Sequence, residues 1–269
     1  MAAPLDPAEL ARARFAELVD GRSDDLPVDL CCAWLAAEER PGLKATTVID
    51  DLDLLADGVR AGATVVESVA RLNQHLFSAL GFKGDHESYE DPQNSLIDHV
   101  LARRRGIPIL LCIVYMEVAR RIEVEVDPIG FPGHFLISPS GAKPRFFIDP
   151  FNGGRILNRD ALFERLKKMG APPHSERFLR SVSDRYILIR VCNNLKGAYL
   201  KRQDVLGGLR ATERLLLLSE DLVEERRDRG LMLAHLGRTE EAAVDLRLYL
   251  DLRPNAPDRA RIEEKLGEL

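Results

Sequence analysis

Histidine and aspartate together supply a general base and the group that orients it, and one of each brackets the stretch "GFPGHFLISPSGAKPRFFIDPFNGG". His134 follows Pro132-Gly133 and opens the apolar run "HFLIS"; Asp149 closes the run "RFFID". If the loop "PSGAKP" closes a hairpin with Ser138 opposite Arg145, His134 falls opposite Asp149. Directly opposed residues have Cβ atoms about 4.5–5.5 Å apart, within reach of an imidazole–carboxylate hydrogen bond. A slip of one residue would send the two to opposite faces. An aspartate bonded to one ring nitrogen fixes the tautomer and leaves the other nitrogen for a substrate or a thiol. Two plainer readings stand beside this one: His134 as a buried structural histidine, and Asp149-Pro150 as the turn that ends a strand.

A nucleophile for this pair would have to be Cys112, the thiol closest to it along the chain. A reactive cysteine favours the first turn of a helix, where the dipole and unpaired N–H groups stabilise thiolate. Cys112 stands four residues after Pro108 in "GIPILLCIVYMEVARR", about one turn or roughly 6 Å deeper, so it reads either as core or as a nucleophile with weakened helix support. Cys31, Cys32 and Cys192 fit helix packing. His75, His86, His99, His174 and His235 show no metal-ligand spacing, and the acidic neighbours of His86 in "GDHESYED" read as a solvated loop. There is no phosphate-binding or dinucleotide motif, and no cofactor or metal is expected.

These residues need elements to hold them. Apolar residues recur three and four apart from Pro7 to about Leu80, which predicts a helical N-terminal layer over residues 1–80. Asp91-Pro92 or Asn94 can start the helix "NSLIDHVLARRR", which Gly106 would end. Pro108 is a good first-turn residue, and the run Ile109 to Ala119 is apolar on every side except at Glu117, as expected of a buried central helix. Strand signals follow at "VEVDPIG", "HFLIS" and "RFFID". Asn158 can cap the helix "NRDALFERLKKMG", and Pro172-Pro173 marks a linker. After about Ser183 the pattern is helical and repeats with a shift of 34 residues, the tetratricopeptide period, with Lys196 and Glu220 in the first copy where Gly230 and Pro254 stand in the second. Two repeats and a capping helix from about Pro257 are expected, docked on the preceding domain, since two units alone bury little surface.

Composition narrows the function classes. With 45% hydrophobic and 30% charged residues the chain is that of a soluble globular protein. A formal net charge of −5 leaves no broad cationic surface, so nucleic acid is not an expected partner. Four cysteines without a CxxC pair suggest neither a disulfide framework nor a zinc site, and a reducing compartment fits. The first twenty residues are acidic and helically spaced where a signal peptide would be apolar, and no run approaches membrane-spanning length, so a cytoplasmic location with no membrane partner is expected.

The ordered motifs "DPQNSLIDHVLARRRGIPILLCIVYMEVARR", "GFPGHFLIS", "FFIDPFNGG" and "RDRGLMLAHLG" resemble the bacterial SirB-type family, in which a transglutaminase-like domain precedes a tetratricopeptide segment. The resemblance runs from about residue 10 to the end. It implies an α+β, mostly helical fold: a transglutaminase-like (papain-like) core with a small antiparallel sheet over residues 81–172, and repeat helices over 183–269. In such cores the nucleophilic cysteine opens the central helix, and His and Asp stand on adjacent strands. His134 and Asp149 match those two positions, while the place of the nucleophile, counted back from "ARRIEVEV", falls near Pro108 or Ile109. The expected function is therefore a non-catalytic module that binds a protein or peptide through the His134 cleft and the repeat groove. The rival is a cysteine hydrolase or acyl transferase with Cys112 as nucleophile, His134 as base and Asp149 as orienter, with backbone N–H groups between Gly106 and Leu110 as oxyanion donors. A purely structural scaffold is a third reading; no oligomeric state follows from the sequence.

Overall fold

A computed structural model describes residues 5–21, 23–172 and 175–269. It is mostly helical with a small antiparallel sheet, and its described residues fall into two compact units. One takes in the described residues up to Leu18 and from 23 to Leu188; the other joins Val19–Gly21 to Ile189–Leu269. Pro173 and His174, which include part of the expected linker, lie outside the described residues.

In the first unit, α1 (Pro7–Val19), α2 (Val28–Glu39), α3 (Ala45–Asp57) and α4 (Val65–Asn73) make the helical layer that the periodicity predicts. Beyond α4 the helix widens into a π-helical turn over Gln74–Ala79, closed by a hydrogen bond from the Leu80 N–H to the His75 carbonyl. Sequence periodicity gave no sign of this turn. β1 (Lys83–Gly84) pairs in parallel with β2 (Arg105–Gly106). Between them Asp91 caps a 3-10 turn over Pro92–Ser95, and α5 (Ile97–Arg103) begins only at Ile97. Asn94 is thus not a cap. Gly106 does not end α5 either, because Arg104 takes the left-handed position (φ 56°) and Gly106 enters β2.

The central helix α6 (Pro108–Arg121) opens on Pro108, whose missing N–H would have had no intrahelical partner. It packs against α2, α3, α5 and the sheet, so Leu110, Cys112, Ile113, Tyr115, Val118 and Ala119 are all fully buried. Its polar exception, Glu117, is buried but paired: Arg120 and Arg121 each hold both Glu117 and Asp29, and Arg121 also reaches Asp53. Burial and the neighbouring Asp29 push the Glu117 carboxyl up, against the pull of the two arginines.

β3 (Val126–Ile129), β4 (Leu136–Pro139), β5 (Phe147–Asp149) and β6 (Arg155–Leu157) form an antiparallel meander. Alternation sends Leu136 and Phe147 into a core with Ile129, Phe131, Leu179 and the Leu162 and Leu166 of α7 (Arg159–Lys168). Asn158 caps α7 as expected, accepting from the Ala161 N–H at 2.8 Å.

The second unit is built from the greater part of α8 (Asp184–Lys201), α9 (Val205–Leu218), α10 (Val223–His235), α11 (Thr239–Leu252) and α12 (Arg259–Gly267). α8 and α10 end at Lys201 and His235, α9 and α11 start at Val205 and Thr239 and end at Leu218 and Leu252, each pair 34 residues apart. Gly230 is required where α10 meets α11, since a Cβ there would lie 2.8 Å from the Leu246 side chain and 3.2 Å from the Ala242 carbonyl oxygen. Lys196, its counterpart in the first repeat, instead sends a mostly buried ammonium to Glu225 at 2.6 Å and Asp228 at 2.5 Å. Replacing Lys196 with Ala strands these carboxylates, although Arg227 still neutralises part of the Asp228 charge. The expected loss is about 2 kcal/mol in chemical denaturation, and Glu225→Gln in the same background should recover part of it.

Candidate functional site

The site grows from two turns. In "FPGH" the His134 N–H donates to the Phe131 carbonyl at 3.0 Å, with Pro132 and then Gly133 (φ 64°) at the centre, the residue order of a type II turn. In "DPFNGG" Asp149 caps the 3-10 turn Pro150–Asn152. Between the turns, His134 Nε2 lies 2.9 Å from Asp149 Oδ1, with both side chains buried.

The register behind this contact differs from the expected one. Ile137, not Phe135, lies opposite Ile148, a ladder that sets Asp149 across from Leu136. Arg145 and Phe146 belong to the loop, where Ser138 Oγ donates to the Phe146 carbonyl at 2.9 Å and accepts from Arg145 Nε at 3.2 Å. The shift is two residues, so side chains keep their faces, and His134 reaches Asp149 from the bend just before β4.

Asp149 serves both turns at once. Oδ1 accepts from the Asn152 N–H at 3.3 Å as well as facing His134, and Oδ2 accepts from Asn152 Nδ2 at 2.8 Å. Burial alone would push its carboxyl up, but the hydrogen bond and charge of His134 and the two Asn152 donors outweigh it and hold the group below its ordinary value. The catalytic and the turn readings of Asp149-Pro150 therefore describe one carboxylate.

Cys112 is fully buried on α6, its thiol 3.6 Å from the Phe135 carbonyl. Burial first, and then the Asp149 carboxylate, push the thiol well above its ordinary value, so both influences disfavour thiolate. Cys31, Cys32 and Cys192 are also buried, and none of them is in a disulfide. The residues that open α6, Pro108 and Ile109, carry no nucleophilic group. Among the described residues, no group of three or more His, Cys, Asp or Glu side chains is placed to hold a metal ion.

Sequence reasoning missed the wall of the site. Phe151 meets the His134 ring edge-on at 5.9 Å, the His86 ring at 4.5 Å and the Tyr89 ring at 5.9 Å. His86 and Tyr89 are exposed, as expected of a solvated loop, and the loop is at the same time seated on Phe151, forming an aromatic rim beside the buried pair. Gly84 permits this seat, because a Cβ there would fall 2.6 Å from the Phe151 ring and 2.7 Å from its carbonyl oxygen. The loop is clipped from within: Asp85 accepts from the Ser88 N–H at 2.9 Å, and fully buried Asn94 donates to the Ser88 carbonyl at 2.7 Å while accepting from Arg103. On the other side, Asn73 donates to the Gly154 carbonyl at 2.9 Å, and Phe77 of the π-helical turn stacks on Tyr115. The density of Gly, Asp and aromatic residues in "GFKGDHESYEDPQN" was the available signal.

Comparison with known proteins gives a consistent picture. Residues 46–193 match the model of the transglutaminase-like superfamily and residues 195–267 that of a tetratricopeptide repeat. A UPF0162 protein of Xylella fastidiosa is 34% identical over 255 residues, 91% of each chain. A UPF0162 protein of Pseudomonas aeruginosa is 28% identical over 242 residues, 88% of each chain. F-box only protein 21 of Mus musculus is 37% identical over 94 residues, 32% of this chain and 15% of that protein. No solved structure matches the chain.

The lowered Asp149 carboxyl fixes the sign of a pH effect. Its contribution to stability is present above the unfolded-chain value of about 3.9 and is lost as pH falls through the lower folded value. Asp149→Asn should cost about 2 kcal/mol near neutral pH. In denaturation titrations the gap between native protein and variant should narrow from about pH 5 to pH 3.

Proposed function

The chain belongs to the transglutaminase-like superfamily and to the UPF0162 proteins, and from that premise we infer that it is a non-catalytic, SirB-type member that acts as a protein- or peptide-binding regulatory module. The observation that carries this reading is the sealed Cys112 thiol, held against the Phe135 carbonyl with no solvent exposure. Acyl transfer needs a thiolate that can reach a carbonyl carbon, and here burial and the Asp149 charge both oppose its formation. The His134–Asp149 pair then shapes a cleft floor rather than driving a reaction, and the exposed His86 and Tyr89 rings supply its rim. Rigid aromatic side chains at a rim give contact area at low entropic cost. The tetratricopeptide segment supports the same class of function, because such repeats present extended surfaces to other polypeptides. Among the described residues no helix is long and apolar enough to cross a membrane.

Alkylation of the folded protein, followed residue by residue with mass spectrometry, tests the enzyme side. Cys112 should react at least ~100-fold more slowly than in the denatured chain across about pH 6 to 9, and equally slowly in His134→Ala. Fast reaction below the free-thiol value of about 8.5, lost in that variant, would establish a thiolate–imidazolium pair and overturn the reading. On the binding side, panning a random-peptide display library against the whole chain should enrich sequences whose affinity drops ~10-fold or more in Tyr89→Ala, at an unchanged melting temperature. Failure to enrich any such sequence counts against the cleft as a binding site.

A further inference from the structure

From Lys143 to Arg180 the chain carries nine Lys and Arg residues against four Asp and Glu, within a protein of net charge −5. Part of this local excess converges on a small cavity of about 280 Å³ lined by Arg145, Phe147, Arg159, Glu176, Leu179 and Arg180. None of these six residues is among His134, Asp149, Phe151, His86 and Tyr89, and the proposed role of that site does not use them.

Phe147 and Leu179 are buried and supply an apolar floor. Two of the three guanidiniums are held in place by aromatic rings, Arg145 5.3 Å above the Phe147 centroid and Arg159 5.1 Å above that of Phe163. A guanidinium stacked by its face still presents its N–H edges, and holding it in advance reduces the ordering cost of binding. Arg159 also pairs with Glu176, both exposed, and Arg145 lies at the outer limit of pairing with Asp127, 4.0 Å away. Arg180 is exposed and makes no side-chain hydrogen bond or ion pair among the described residues.

Three guanidiniums facing one lining carboxylate leave the cavity with an excess of two positive charges. A phosphate monoester carries about −1.5 to −2 at neutral pH and offers three acceptor oxygens to such forks. The volume suits one phosphoryl group and a short carbon stem on the Phe147–Leu179 floor, and lies below the usual range of about 300–1,000 Å³ for larger ligands. We propose that the Arg145–Arg159–Arg180 pocket binds the phosphate monoester group of a small phosphoester or of a phosphorylated side chain.

Calorimetric titration of the whole chain tests this with phenyl phosphate, phenyl sulfate and a short phosphoserine peptide. Phenyl phosphate should bind at least ~10-fold more tightly than the monoanionic sulfate, as expected if the second charge is matched. Arg180→Ala should weaken phosphate binding ~10-fold or more at unchanged melting temperature, and Glu176→Gln should strengthen it severalfold, a gain that general destabilisation cannot produce. A peptide bound more tightly than phenyl phosphate identifies a phosphorylated side chain as the source; the reverse order identifies a small ester. No heat at millimolar phenyl phosphate, equal binding of the sulfate, or indifference to Arg180→Ala overturns the proposal.

Discussion

A carboxylate taken out of water must find hydrogen-bond donors or surrender its charge, and Asp149 answers that demand in a way that organises everything around it. Its partners come from His134 on the preceding turn and from the backbone and side chain of Asn152 on the following one. Two turns that the loop of the hairpin separates are thereby tied at one point. The segment after the second turn must then run close beneath the helical layer, where Gly154 alone fits against Phe77 and Asn73. The ring inside the second turn, Phe151, becomes the seat for the 83–94 loop through Gly84 and His86. The site is a consequence of satisfying one buried charge.

The same requirement governs α6. A helix buried over most of its circumference can carry an acidic residue only if cations follow it, and Arg120 and Arg121 sit one turn beyond Glu117 to meet it and Asp29. In the second unit Lys196 takes the position that glycine holds in the next repeat and is accommodated by two carboxylates of α10. In each case an apparent flaw in the apolar pattern is a paired charge.

Much of this was legible in the residues. Periodicity located the helices because burial on one face imposes it locally, Pro108 and Asn158 marked helix starts through backbone chemistry that needs no tertiary partner, and the 34-residue shift returned in the helix ends. The meeting of His134 with Asp149 was also legible, yet through a register two residues from the actual one. Parity rescued that inference: an even shift preserves the face, and the bonds from Ser138 that hold Arg145 and Phe146 in the loop have no local sequence signature. The 83–94 loop was opaque for a related reason. Its glycine, histidine and tyrosine answer to Phe151, some sixty residues away, and Asn94 reads locally as a cap while it serves as an internal bracket.

Asp149 fastens a turn whether or not any reaction occurs beside it. A lineage that lost its nucleophile would therefore still be penalised, through misfolding, for losing the carboxylate, and the imidazole that shares its oxygen would be retained with it. The outward form of a hydrolytic dyad can thus persist under selection for folding alone, as a scar of descent held in place by mechanics, and finding such a dyad in a genome is weaker testimony of turnover than finding an open thiol.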